Sequence, residues 1–208
     1  MNSNDGAGFD PNCRRCPRLA TYLDEVRAEH PAYHARPVPA FGDAAPRLLI
    51  VGLAPGYHGA NATGRPFTGD YAGILLYETL HALGLASAPA SLHRDDGLTL
   101  SGCRITNAVK CLPPANKPMG EEIRSCNRFL AAEIEELGPE LVVFALGRIA
   151  HDAVLRAKDL RPTSFHEFDR SSSCGCLTTG CIGCPRASFN RRTDLVAGVI
   201  HTLARAGE

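Results

Sequence analysis

The 208-residue chain has no tryptophan, only two methionines and no net charge. Equal numbers of basic and acidic residues, 22 of each, exclude a protein that binds nucleic acid through bulk positive charge alone, although they allow a local basic patch. No apolar run approaches the roughly 18–20 residues that a membrane span needs. The first ten residues, MNSNDGAGFD, lack the features of a signal peptide. We therefore expect a cytoplasmic protein with no membrane partner.

Cysteine, in contrast, is abundant. The chain has nine cysteines, an odd number that a complete set of disulfides cannot use. Disulfides are also rare in a reducing compartment, so metal ligation is the better starting hypothesis. Hydrophobic residues make up 44% of the chain, which is enough for the core of one compact domain.

The pattern of apolar residues indicates an α/β fold with a mostly parallel sheet, because strand-like and helix-like segments alternate. Strands are predicted at 47–52, 103–109 and 141–146, and helices at 13–29, 72–85, 120–137 and 149–158. Residues 30–46 are predicted to be a loop. The sequence after Phe165 offers only a poor fourth strand. A disordered tail is expected at 1–12 and a single domain at 13–208, with an atypical segment rich in Cys, Ser and Gly at 166–190.

The cysteines fall into groups with different spacings. Cys13 and Cys16 form a C-x-x-C pair that can bind one metal ion or two corners of an iron–sulfur cube, although a redox or accidental pair stays open. Cys111 and Cys126 form a second pair, and Cys103 is interpreted as a small buried hydrophobe. The last group has the spacing of zinc ligands, with four free thiols as the alternative: Cys174, Cys176, Cys181 and Cys184.

Two segments resemble the uracil-DNA glycosylase superfamily, and most closely its iron–sulfur branch, called family five or type b. They are GLAPGYHGANATGRPFTGD at 52–70 and TNAVKC at 106–111. The resemblance implies a three-layer α/β/α fold around a mostly parallel four-stranded sheet. It also implies a [4Fe–4S] cluster, and this branch holds that cluster at the positions of Cys13, Cys16, Cys111 and Cys126.

The function that the resemblance implies is base excision repair of DNA. A monomeric hydrolase would flip uracil, or another deaminated base, out of the duplex and cut its N-glycosidic bond, leaving an abasic site. Asp70 would act in catalysis, with the cap of a helix near Tyr71 as a second role for the same side chain. Asn107 would read the base and assist catalysis, and Phe67 would stack on the base. The alternative interpretations are an ordinary turn asparagine for Asn107 and a core residue that anchors the loop for Phe67.

Further contacts to the substrate are expected from the loop at the start of the segment 52–70. Gly52, Ala54, Pro55 and Gly56 would let the backbone approach a ligand closely, with free N–H groups aimed at it. His58 would donate to the base or to a phosphate, and a solvated loop histidine is the alternative.

The family's third motif, His-Pro-Ser followed by Asn, has no recognisable counterpart. The nearest segment is CPRASFN at 184–190, with Cys184 where the family has the histidine that donates to the leaving base. Divergence and a reading-frame artefact are both open explanations. The missing histidine motivates an alternative function, a catalytically impaired iron–sulfur protein that binds damaged DNA. A redox or metal-handling protein is a second rival.

Local charge is expected to supply the contact with DNA. Arg14, Arg15, Arg18 and Lys110 lie near cluster ligands in the sequence, whereas acids such as Glu133 gather on the helix at 120–137. This segregation predicts a basic binding face on a neutral protein.

Overall fold

Strands and helices alternate along residues 8–160, the part of the chain that the computed structural model describes. The strands are β1 (Phe41–Gly42), β2 (Leu48–Gly52), β3 (Cys103–Asn107) and β4 (Val142–Ala145). The helices are α1 (Pro17–Glu29), α2 (Ala60–Thr63), α3 (Tyr71–Ala82), α4 (Gly120–Leu137) and α5 (Arg148–Ala157). None of these helices is long and apolar enough to span a bilayer. The atypical segment 166–190, with its four candidate zinc ligands, lies outside the described residues.

The sheet has the order β1-β3-β2-β4, and β2 pairs in parallel with both β3 and β4. A mostly parallel four-stranded sheet is thus confirmed. Its fourth strand within residues 8–160 is β1, which pairs antiparallel with β3 through Phe41 and Ile105. The prediction of a loop over 30–46 was wrong at this point. Two residues are too short to show a strand period, so the apolar pattern could not reveal β1.

The strands of the sheet are covered on both faces, which gives three layers. Side chains alternate along a strand, so Leu48 and Ile50 of β2 face α3, whereas Leu49 and Val51 face α4 and α5. All four side chains are fully buried. β2 therefore forms part of two separate apolar clusters, and its end carries the first candidate residues out of a rigid core.

Helix α1 begins later than the predicted 13–29, at Pro17. Proline suits this first helical position because an N–H group there would have no acceptor inside the helix, so its absence costs nothing. Cys13 and Cys16 consequently lie in the segment before the helix. Phe9, inside the stretch expected to be a disordered tail, meets the edge of the Phe129 ring, with ring centroids 6.0 Å apart.

A buried ion pair fixes the loop between α3 and β3. The Oδ1 atom of Asp96 is 2.7 Å from Nη1 of Arg65, and the two side chains are 10% and 4% exposed. Asp96 also accepts hydrogen bonds from the backbone N–H groups of Leu92 and Leu98. Burial alone would raise the pKa of Asp96, but these donors outweigh it and lower the pKa to about 2.

We predict that Asp96 makes the stability of the fold depend on pH. Its folded pKa lies below the unfolded value of about 3.9, so its contribution is complete above pH 4 and is lost as the pH falls towards 2. Asp96→Asn should lower the free energy of unfolding at pH 7 by about 2–3 kcal/mol, and the gap to wild type should narrow at pH 3. Urea unfolding at both pH values measures the gap. Asp95→Asn, at an exposed neighbour, is the control; a gap that is the same at both pH values would refute the prediction.

Candidate functional site

The carboxyl ends of β2 and β3 bring the first candidate residues together. The two strands pair in parallel, and the last residues in register are Gly52 and Asn107. The pairing continues into the following loops, where Ala108 N donates to the Gly52 carbonyl at 2.8 Å and Val109 N donates to the Leu53 carbonyl at 3.0 Å. Ligands of α/β proteins bind beyond this edge of the sheet, so both loops leave from a suitable place.

The lack of a side chain at Gly52 leaves room for two other side chains. A Cβ atom at this position would lie 2.5 Å from Oδ1 of Asn107 and 2.6 Å from the ring of Phe67. Asn107 is only 3% exposed, and its side chain forms no hydrogen bond within residues 8–160. Its amide therefore keeps a donor and an acceptor available beside an aromatic ring, a combination suited to a planar heterocycle.

Phe67 is held in an unfavourable backbone conformation. Its φ angle is +54°, which costs a non-glycine residue of order 1–3 kcal/mol. Gly73 makes the arrangement possible, because a Cβ atom there would stand 1.8 Å from the Phe67 carbonyl oxygen. Gly73 was not a candidate in the sequence analysis. Its position three residues after Asp70, in the first turn of α3, is the signal that could have found it.

Asp70 is the N-cap of α3. One carboxylate oxygen, Oδ1, accepts a hydrogen bond of 2.8 Å from Gly73 N. The other oxygen, Oδ2, faces the loop of 52–59, since a Cβ atom would lie 3.6 Å from it at Gly56 and 2.7 Å from it at Gly59. The cap role is thus present, and it occupies only one of the two oxygens. Gly59 is a second residue that the sequence analysis missed.

The loop at 54–59 offers backbone donors. Within the described part of the chain, none of its N–H groups donates to another residue. The carbonyls of Gly56, Tyr57 and Gly59 accept hydrogen bonds, as in the bond of 3.0 Å from Asn61 N to Gly56 O, and Pro55 is buried. The N–H groups of Ala54 and Gly56 therefore remain available as donors.

His58 belongs to an aromatic cluster. Its Nδ1 atom is 2.8 Å from the hydroxyl of Tyr33, and its ring packs edge-on against Tyr57. The cluster continues through Tyr33 to His30, whose ring stacks on it. The structure thus places the exposed His58 against α1 and the loop that follows it.

Four cysteines line one pocket of about 380 Å³, part of it open to solvent. Cys13 and Cys16 come from the segment before α1, Cys111 follows β3, and Cys126 lies in α4. Burial raises the pKa of Cys111 and Cys126, and the neighbouring thiols add to this by repulsion between their charged forms. A positively charged group in the pocket would offset both effects. Cys103 is buried elsewhere, in the main core, as expected.

Four thiols that line one pocket are a donor set that an iron–sulfur cluster uses. Within residues 8–160, no group of three or more His, Cys, Asp or Glu side chains is placed to hold one metal ion. The remaining pocket wall is mainly apolar, with Leu19, Val109 and Phe129, and Lys110 N donates to Sγ of Cys126 at 3.2 Å. Backbone donation of this kind stabilises a thiolate.

A charge pair holds the two helices of this pocket together. Arg18 of α1 donates to both carboxylate oxygens of Glu122 of α4, at 2.8 Å each. Glu122 also accepts from Met119 N at 2.7 Å, so it fixes the start of α4 as well. The pair thereby keeps the segment with Cys16 close to the helix with Cys126.

A buried charge network lies behind Asn107 and Cys111. Glu133 of α4 accepts from Thr106 at 3.0 Å and lies 3.3 Å from Nζ of Lys110 and 3.9 Å from Nη1 of Arg104. These residues are all 4% exposed or less. The expectation that Lys110 belongs to a basic face was therefore wrong, and Glu133, although on the helix where acids gather, is buried. Both charges are used inside the fold.

Comparison with known proteins assigns this arrangement to a family. A profile of the uracil DNA glycosylase superfamily matches residues 39–201, and the chain belongs to this superfamily. The match continues past Phe165, through the segment in which the third motif was not recognised.

Curated relatives narrow the branch to type 5, as the resemblance implied. The type-5 uracil-DNA glycosylase of Thermus thermophilus is 50% identical over 161 residues, which cover 75% of this chain and 73% of that protein. The one of Pyrobaculum aerophilum is 44% identical over 168 residues, covering 79% and 74%. The one of Mycobacterium leprae is 46% identical over 195 residues, covering 85% of each chain.

We predict that Glu133 is essential for the stability of the buried network. Glu133→Gln would leave the buried Lys110 without its counter-charge and would remove one from Arg104, which should cost about 3–5 kcal/mol of unfolding free energy. Glu135→Gln, at an exposed position on the same helix, should change it by less than about 0.5 kcal/mol. Urea unfolding of the two variants measures the difference. Equal losses would show that the network is not a net source of stability.

Proposed function

We propose that this chain hydrolyses the N-glycosidic bond of uracil in DNA and leaves an abasic site. The observation that carries the proposal is the convergence of Asn107 and Phe67 around Gly52. The carboxylate of Asp70 lies on the same loop, with one oxygen hydrogen-bonded to Gly73 N. The relatives named uracil-DNA glycosylase, which are 44%, 46% and 50% identical, support the same activity.

Recognition begins with a base that has left the duplex. Unstacking a base costs a few kcal/mol, and stacking on an aromatic ring returns roughly 1–3 kcal/mol. Phe67 supplies the ring. The buried amide of Asn107 supplies one donor and one acceptor to the edge of the uracil, which itself presents both. Other deaminated bases present related edges and are further candidate substrates.

Hydrolysis breaks the bond between the sugar's anomeric carbon and the base nitrogen, and the electron pair leaves with the base. Positive charge develops on the sugar, where the carboxylate of Asp70 stabilises it. A water oxygen then bonds to the anomeric carbon, and the Oδ2 atom of Asp70 accepts the proton that the water loses. The free N–H groups of the loop at 54–59 donate to the departing uracil anion.

The rival function, a damaged-DNA-binding protein without turnover, is not favoured. It was motivated by the missing third-motif histidine, a position outside the described residues. The presence of Asp70, Asn107 and Phe67 around the same edge of the sheet supports the enzyme. Relatives over most of the chain are named as enzymes.

We further propose that Cys13, Cys16, Cys111 and Cys126 hold a [4Fe–4S] cluster. When bound, the cluster supplies a cross-link between the N-terminal segment, the end of β3 and α4, and hydrolysis needs no redox step. Reduced thiols require a reducing compartment, so the cytoplasm is the proposed location. Since one chain provides every proposed site residue, we propose that it acts as a monomer.

Asp70→Asn should abolish most of the excision. Asparagine caps a helix about as well as aspartate, so the fold should be kept while the negative charge is lost. We expect kcat to fall by about 10²–10⁴-fold on an oligonucleotide with one uracil, measured by alkaline cleavage at the abasic site. Asp95→Asn, with the same change of charge at an exposed site, should retain wild-type kcat. Wild-type turnover by Asp70→Asn would reduce Asp70 to a helix cap.

Removal of one proposed ligand should lower the iron content. Protein purified without oxygen should be brown and carry about four iron atoms per chain. Cys126→Ser should lose most of this iron, whereas Cys103→Ser, at a buried cysteine outside the pocket, should keep it. Iron and sulfide analysis per chain measures both variants. An iron-free wild type, or equal iron in both variants, would overturn the assignment.

A further inference from the structure

The loop between α3 and β3 forms hydrogen bonds with the residues on both sides of Phe67. Arg65 donates to Oγ of Ser91 at 2.9 Å and to Oδ1 of Asp96 at 2.7 Å. On the other side of Phe67, the hydroxyl of Thr68 is 2.7 Å from that of Ser91. Ser91 therefore bridges residues 65 and 68, and Asp96 anchors the bridge. None of the motifs in the sequence analysis includes Ser91 or Asp96.

Two more contacts hold the segment that contains Phe67. The hydroxyl of Tyr77, in α3, donates to the carbonyl of Pro66 at 2.8 Å. The guanidinium of Arg65 lies 4.3 Å from the centre of the Phe41 ring in β1. Residues 65, 66 and 68 are buried, whereas most of the loop at 87–97 is exposed. Ser91 and Asp96, the less exposed polar side chains of this loop, are thus directed at the segment with Phe67.

Phe67 needs such restraint because its conformation is not one that its own backbone prefers. With φ at +54°, the free segment would relax towards negative φ and turn the ring away from Gly52 and Asn107. A conformation of this kind persists only where neighbouring contacts over-determine it.

We propose that Asp96 and Ser91 are positioning residues for the substrate base: acting through Arg65 and Thr68, they hold the Phe67 ring in its stacking orientation. The proposal rests on the proposed function, since it assigns the ring to the uracil. Neither residue touches the base. Their effect is to prepare the stacking surface before the base arrives, which lowers the entropic cost of binding.

The proposal separates two kinetic effects. Stacking acts on the bound base both before and during bond cleavage, so its weakening should raise KM and leave kcat nearly unchanged. Asp70 acts on charge that develops only during cleavage, so its loss lowers kcat. A loop with a purely structural role would lower the fraction of folded protein, and thus the apparent kcat, without raising KM.

The test compares Asp96→Asn and Ser91→Ala with the control Asp95→Asn in two measurements. The first is steady-state excision from single-stranded DNA with one uracil, where we expect KM to rise about tenfold for Asp96→Asn and about threefold for Ser91→Ala, with kcat within about twofold of wild type. The second is amide hydrogen exchange of peptides that cover residues 64–70, which should become faster in both variants and stay unchanged in the control.

Ser91→Ala keeps the ion pair between Arg65 and Asp96, so it serves as the milder variant if Asp96→Asn unfolds. An unchanged KM in a folded Ser91→Ala or Asp96→Asn protein would overturn the proposal, as would unchanged exchange at 64–70. A wild type that releases no uracil would instead overturn the proposed function. In that case the exchange measurement alone decides whether the loop holds Phe67 in place.

Discussion

The close approach of β2 and β3 at Gly52 is the constraint on which the site depends. Parallel pairing puts Gly52 opposite Asn107, and the missing Cβ atom at Gly52 leaves space that the Phe67 ring reaches from a distant loop. Any side chain at residue 52 would collide with the amide or with the ring. Gly73 repeats this principle at the start of α3, where the Phe67 carbonyl approaches the helix. Two glycines therefore bring an amide, a ring and a carboxylate from three elements to one edge of the sheet.

The thiol pocket and this edge are linked through a short stretch of chain. Asn107 ends β3, and Cys111 follows it four residues later. Thr106 and Lys110, around Asn107, are both held by Glu133 of α4, the helix that also carries Cys126. A group bound by the four cysteines would thus hold the segment at 106–111 through Cys111. The charge network holds the same segment through Thr106 and Lys110. Such a group can serve hydrolysis without taking part in it, because it stiffens the backbone that carries the amide.

The sequence was informative where a local pattern carries the signal. The bounds of α4 were predicted as Gly120–Leu137 because 18 residues are long enough to show the helical period. The positions of β2 and the cap at Asp70 were also clear from apolar runs and from residue type. In contrast, β1 is two residues long, and the pair of Arg65 and Asp96 spans 31 residues of sequence. A charged residue in a polar loop is expected to be solvated, because its sequence neighbours do not reveal a partner that is distant in the chain. For the same reason Lys110 was expected on the surface, although it is buried.

The zero net charge gains a different meaning from these pairs. Three cations and two acids are buried or nearly so, and they pair with one another inside the fold: Arg65 with Asp96, and Arg104 and Lys110 with Glu133. Arg14 and Arg18 are paired as well, with Asp24 and Glu122. Much of the balanced charge therefore serves architecture, and it cannot also attract phosphates. These five paired cations therefore leave fewer of the 22 basic residues for phosphate contacts than the composition alone suggests. Each cation engaged in this way is one fewer to release counterions from DNA, so the salt dependence of binding is expected to be weaker than 22 basic residues would give.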